Sequence, residues 1–223
     1  DVYFLERSGG RLLAAGSFNA LGGAAGPVVS LDPVTGAADR AFRPQVKGEV
    51  YDVARAGGSI WVGGELTAAG GRPANNLARL DGTTGRREAG GSPYLDGQVN
   101  AIAPGASRLF VGGQFSIAGA VARPGFAAVS AAGGVLDPSF APAHRLPGSR
   151  GGTLTAGAGR LFLAPTQYDG YDPYSRRHPF RPSTGRIHTI DPDTGATTLA
   201  PGLRRVHNLT GMTVGGSELF LAR

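Results

Sequence analysis

The stretch Val50-Tyr-Asp-Val-Ala-Arg-Ala-Gly-Gly-Ser-Ile-Trp-Val-Gly-Gly64 returns, with its apolar and glycine positions kept, as Val99-Asn-Ala-Ile-Ala-Pro-Gly-Ala-Ser-Arg-Leu-Phe-Val-Gly-Gly113. A third version, Val2-Tyr-Phe-Leu-Glu-Arg-Ser-Gly-Gly-Arg-Leu-Leu-Ala-Ala-Gly16, opens the chain. Gly16, Gly64 and Gly113 are therefore equivalent, at intervals of about 50 residues. Self-similarity at this period marks a unit that cannot bury its apolar face alone and must stack on its neighbours. The reading predicts copies over residues 2–49, 50–98, 99–150 and 151–205, with a partial fifth over 206–223.

Within the second copy, apolar runs at Val50 to Arg55, Ile60 to Leu66, Asn76 to Asp81 and Arg86 to Tyr94 are separated by turn signals. Four runs of strand length read as a four-stranded antiparallel meander. The expected fold is all-β, a β-propeller or part of one built from such blades. Ala56-Gly57-Gly58 supplies the positive-φ residues of a hairpin, and Asp32-Pro-Val-Thr-Gly36, Asp81-Gly-Thr-Thr-Gly85 and Asp191-Pro-Asp-Thr-Gly195 repeat one Asp-x-x-Thr-Gly turn. There the aspartate caps backbone amides and the glycine takes a left-handed conformation, a structural reading preferred to a calcium loop. The glycine pair closing the second strand, Gly63-Gly64 and Gly112-Gly113, signals a bulge or close backbone approach. Phe18, Leu66 and Phe115 are expected between blades, as core.

The chain has 223 residues, 41% of them hydrophobic, and no cysteine, which excludes a disulfide framework and thiolate chemistry. No apolar run has the length of a membrane-spanning helix. The net charge of +6 is uneven. Residues 1–144 carry 12 basic and 11 acidic side chains, whereas residues 145–223 carry 10 and 5. Basic side chains nonetheless cluster only weakly, so nucleic acid is not an expected partner.

Ile60-Trp-Val-Gly-Gly-Glu-Leu-Thr-Ala-Ala-Gly-Gly71, followed by Asn75-Asn-Leu-Ala-Arg-Leu-Asp81, resembles the bacterial β-propeller repeat known as the delta-sixty repeat, with a kelch-like glycine pair. The resemblance covers copies one to three, and copy four only at Arg160 to Leu163 and Ile187 to Gly195. It implies a propeller scaffold on a secreted or cell-surface bacterial protein and brings no catalytic residues with it. Four and a half copies are awkward for a ring, which suggests a piece of a larger propeller, with a five-bladed ring as the alternative.

Copy four departs from the pattern, and such departures are where a scaffold carries function. It lacks the glycine pair and holds an insertion with Tyr168, Tyr171, Tyr174, Arg176, Arg177, His178 and Phe180. Aromatic rings interleaved with arginines stack on sugars or anchor a protein interface, so these residues form the candidate ligand-binding set. His144, His178, His188 and His207 show no ligand spacing, Asp169 and Asp172 lack the ligand count of a calcium loop, and no nucleophile elbow is present. No cofactor or metal is expected. The functional expectation is a non-catalytic interaction scaffold with a protein or carbohydrate partner. The alternative is a propeller-type lyase or hydrolase, which would need His188 or His207 to converge with Asp52, Asp191 or an arginine in a central funnel.

Overall fold

The computed structural model describes residues 1–8, 10–142, 152–165, 184–185, 187–200, 206–207 and 211–222. They form antiparallel sheets, and no helix occurs among them. The first sheet pairs Val2–Ser8 with Arg11–Gly16 and that strand with Val28–Leu31. Lys47–Ala56, Ser59–Ala69 and Leu77–Asp81 repeat the arrangement, as do Val99–Pro104, Arg108–Gly113 and Phe126–Ser130. The fourth sheet orders Gly152–Gly157, Arg160–Pro165, His188–Ile190 and Thr197–Leu199, and Gly211–Gly215 with Glu218–Ala222 make a last hairpin.

The fourth run differs from expectation. In the first three sheets it shrinks to single bridges, Leu31 to Ala38, Leu80 to Arg87 and Val129 to Leu136. Only the fourth sheet extends it into the three-residue strand Thr197–Leu199. In the second copy the cause is local: Gly90 and Gly91 take φ of 93° and 75°, and Pro93 has no N–H to offer a ladder.

Strand alternation explains how the sheets stack. Ile60 and Val62 enter a core shared with Leu13, Ala15 and Val28 of the first sheet. Trp61, between them, enters a second core with Val99, Ile102, Leu109 and Val111 of the third. Phe110 in turn faces Leu154, Leu161 and Leu163 of the fourth, and Phe162 faces Met212, Leu219 and Leu221 of the last hairpin. A side-chain period of two thus sends neighbouring residues into different cores, and each inner sheet is buried on both faces. Leu66 and Phe115 lie in these cores as expected, whereas Phe18 is only partly buried on the outer face of the first sheet. Full burial of Trp61 contributes about 2–3 kcal/mol.

The glycine pair does two separate jobs. Register shifts fall between Val2 and Phe4, Val50 and Asp52, and Val99 and Ala101, opposite Gly16, Gly64 and Gly113. At that bulge a Cβ on Gly16, Gly64 or Gly113 would overlap the backbone carbonyl oxygen of Asp1, Glu49 or Gln98. In the second copy the first glycine serves stacking: a Cβ on Gly63 would come within 2.6 Å of Val99 Cγ1 in the next sheet, whereas one on Gly112 would meet Phe126 of its own sheet. Copy four carries Ala164 and Pro165 at these positions, and its strands pair without a register shift from Gly152 to Gly157.

The Asp-x-x-Thr-Gly turns form as read. Asp32 Oδ1 accepts from the Val34 and Thr35 amides at 2.9 and 2.8 Å, and Asp81 and Asp191 repeat the pattern with Thr84 and Thr194. Gly36, Gly85 and Gly195 have φ of 70°, 71° and 79°. A fourth turn went unread in the sequence because Ser130 stands where the aspartate would be. Its Oγ accepts from the Gly133 amide at 3.1 Å, and Gly134 has φ of 68°. These turns also fasten sheets together. The Arg43 amide donates to Thr84 O at 2.8 Å and the Ala141 amide to Thr194 O at 3.3 Å, so these two turns clasp the segments arriving from the preceding sheets.

Gly64→Val is expected to destabilise the fold by more than about 1 kcal/mol through overlap with the Glu49 carbonyl. Gly112→Ala, whose Cβ would rest 3.6 Å from Phe126, is expected to be tolerated. Urea denaturation followed by the fluorescence of the single tryptophan checks both, and equal midpoints would remove the bulge assignment.

Candidate functional site

Tyr168, Tyr171, Tyr174, Arg176, Arg177, His178 and Phe180 lie outside the described residues, as do His144, Asp169 and Asp172. What the described residues do hold is a cleft of about 490 Å³ between the third and fourth sheets, at their hairpin ends. Phe110 lies at the base, its ring 5.3 Å from that of Phe140, with Pro104 and Leu161 on the walls and Arg108, Arg160 and Asp193 in the lining.

The two arginines hold the same repeat position but different chemistry. Arg11 and Arg108 open the second strands of their sheets and pair with acids placed just after the fourth-run bridge, Asp39 at 3.1 Å and Asp137 at 2.7 Å. Arg108 also donates from Nη1 to Pro192 O at 2.8 Å and to Asp193 Oδ1 at 2.9 Å, tying the third sheet to the turn of the fourth. In the second copy Ser59 replaces the arginine, and Arg79 supplies the guanidinium to Glu88 from the third strand instead. In the fourth sheet Arg160 is present but the acid is not. Thr198 stands there, its hydroxyl 2.7 Å from that of Thr189. Arg160 is exposed, and among the described residues it makes no ion pair; its charge acts on the Asp191 carboxyl only at longer range. The cleft therefore offers one guanidinium in solvent beside an aromatic base, a setting suited to a carboxylate or another anionic group.

The carboxylates named for a funnel site are held apart by their own partners. Asp191 closes its turn, where the amide and hydroxyl of Thr194 hold its carboxyl below the usual range. Asp52 lies partly buried on the first strand of the second sheet. Its Oδ1 accepts from the Val53 amide at 2.8 Å and its Oδ2 from the Ile102 amide at 2.7 Å, so one carboxylate bridges the first strands of two sheets. Phe4 and Ala101 occupy the equivalent positions in the neighbouring copies. Burial outweighs the two amides and pushes this carboxyl up to about 7. His188 sits on the third strand of the fourth sheet, and the backbone of His207 pairs with Thr184. Among the described residues no three His, Asp or Glu side chains gather to hold a metal ion.

Neither a family model nor a curated protein matches the chain.

The pH dependence of Asp52 follows from its raised value. The folded state keeps the proton between about 4 and 7 while the unfolded chain loses it. Its contribution is complete below the unfolded value and is lost as pH rises through 7. The turn aspartates act in the opposite sense, losing their contribution only as pH falls below their ordinary 3.8. Urea midpoints are expected to decline from pH 4 to pH 7, and the Asp52→Asn protein to lack most of that decline. Parallel profiles for the two proteins would show that Asp52 ionises normally.

Proposed function

We propose that this chain is a non-catalytic interaction scaffold, a β-propeller or part of one related to the delta-sixty repeat, on an exported or surface bacterial protein. The observation that carries the reading is the way the repeat uses its polar groups. Asp32, Asp81 and Asp191 close turns, and Asp39, Glu88 and Asp137 neutralise arginines of their own sheets. The same position in the fourth sheet leaves Arg160 at an open cleft. Loss of the pairing acid thus converts a structural element into a place where an anionic group docks. The partner is a protein or a carbohydrate that brings such a group. The Tyr168 to Phe180 set, which belongs to the same copy, supplies aromatic and arginine contacts of the kind that stack on sugars or anchor side chains.

The test is capture from arrays of acidic glycans and of surface proteins. Arg160→Ala, at an exposed position, is expected to weaken capture at least about tenfold, or roughly 1.4 kcal/mol, with the melting temperature unchanged. The triple variant of Tyr171, Tyr174 and Arg177 to alanine is expected to abolish capture with the fold intact. Undiminished capture by both variants would refute the reading, and a large fall in stability of the triple variant would mark those tyrosines as packing residues.

A further inference from the structure

The second copy carries charge at two positions where its neighbours carry none. Arg72 pairs with Ala69, in the register that places Ala24 opposite Leu21 in copy one and Val121 opposite Ala118 in copy three. Arg87 bridges to Leu80, as Ala38 bridges to Leu31 and Leu136 to Val129. Ala38 and Leu136 pack against apolar cores, so both arginines stand where the repeat otherwise places apolar side chains. The turn just before the first position lies on the second in each copy. A Cβ on Gly22 would fall 3.2 Å from Ala38 N, one on Gly70 2.6 Å from Arg87 Cβ, and one on Gly119 3.9 Å from Leu136 Cδ2. The two substitutions therefore meet at one place, in a sheet flanked on both sides by others of this chain.

The pair has no counter-charge. Among the described residues neither guanidinium makes an ion pair, and the acid next along the chain, Glu88, is held by Arg79 and the Ser59 hydroxyl. Arg87 is half-buried; its Nη2 donates to Ser92 Oγ at 3.0 Å, while its Nη1 is enclosed without an acceptor. Desolvation first, and then the charge of Arg72, pull the Arg87 guanidinium below the ordinary arginine range. A donor shut away unpaired and two like charges within reach of each other both cost stability, and one anion relieves both. Arg72 is exposed, as is Gln45, whose Oε1 lies 2.8 Å from the Cβ position of Gly71 beside it. An anion arriving from solvent thus passes a guanidinium and an amide. Turning Arg87 Nη1 outward to meet it sacrifices no hydrogen bond.

We infer that Arg72 and Arg87 together bind a tetrahedral oxyanion, a phosphate or sulfate group. Guanidinium groups meet such oxygens in paired, charge-assisted hydrogen bonds. Two of them call for two negative charges, which one phosphate or sulfate supplies and a single carboxylate does not. The group is either a free ion or part of a sulfated glycan, since both present the same oxygens. The site belongs to the second sheet, whereas the Arg160 cleft lies between the third and fourth, and it does not depend on the partner proposed there.

Isothermal titration calorimetry with sodium sulfate or sodium phosphate, at an ionic strength held constant with sodium chloride, is expected to show saturable binding. The Arg160→Ala protein removes any contribution from the cleft and is expected to keep that binding. Arg72→Val and Arg87→Leu each install the residue that copy three carries at the position, and circular dichroism confirms the fold. Each is expected to weaken binding at least about tenfold. Arg72 is exposed, so its variant tests the site even where Arg87→Leu does not fold. A sulfated heparin disaccharide separates the two sources: tighter binding than that of free sulfate assigns the group to a glycan, and no gain assigns it to the free ion. Absence of saturable binding in the Arg160→Ala protein, or undiminished binding by Arg72→Val, overturns the inference.

Discussion

Everything in this molecule depends on a strand having two sides that are both apolar. In most antiparallel sheets one side meets solvent, and the sequence alternates accordingly. Here Ile60, Trp61 and Val62 are all buried, and the odd one out points to a different core from its neighbours. A sheet of this kind has no stable existence in water until something covers each side. Stacking is therefore the folding reaction itself, and the turns, bulges and ion pairs are adjustments that let identical sheets approach closely enough.

The glycine pair shows how two constraints came to share one dipeptide. Gly64 is required by its own sheet, because the bulge brings the Glu49 carbonyl into the space a side chain would occupy. Gly63 is required by the next sheet, because Val99 and Ile102 press on it. The fourth copy gives the complementary case: with Ala164 and Pro165 in place, the strands run on without a bulge, and Ala164 joins the core beyond. Arg108 illustrates the same economy across sheets, since one guanidinium meets Asp137 of its own sheet and Asp193 of the next.

The stacked sheets were legible because their signals are local and repeated. Alternation, hairpin glycines and the Asp-x-x-Thr-Gly turn each depend on a few adjacent residues, and several copies expose the pattern. The fourth run was over-read, since Arg86 and Arg87 have strand-like neighbours while Gly90, Gly91 and Pro93 silently remove the ladder. The turn at Ser130 was missed because a hydroxyl accepts amide bonds as a carboxylate does, without looking like one. The cleft could not be read at all. Arg160 looks identical to Arg108 in sequence, and what distinguishes it is Thr198, about 40 residues away, a relation visible only once the register of the sheet is known. Asp52 posed the reverse problem. The sequence marked it only as a carboxylate that a funnel site would need, but its hydrogen bond from the Ile102 amide, across 50 residues of chain, decides its role.

The clasps that two of the turns make on the segments before them also give the chain a direction in time. Arg43 waits for Thr84, and Ala141 for Thr194, so these two connections gain a clasp only from the sheet made after them. During synthesis the polypeptide emerges from its amino end, and domains form as their residues become available. A newly made sheet would remain loosely held for the time needed to translate about one further repeat, a few seconds at ordinary elongation rates. Among the described residues the cross-links between neighbouring sheets span one to two repeats, the contact of Arg108 with Asp193 reaching 85 residues. Such a chain would set in sequence, like a row of bricks each mortared by the next, with little need for its distant parts to find one another.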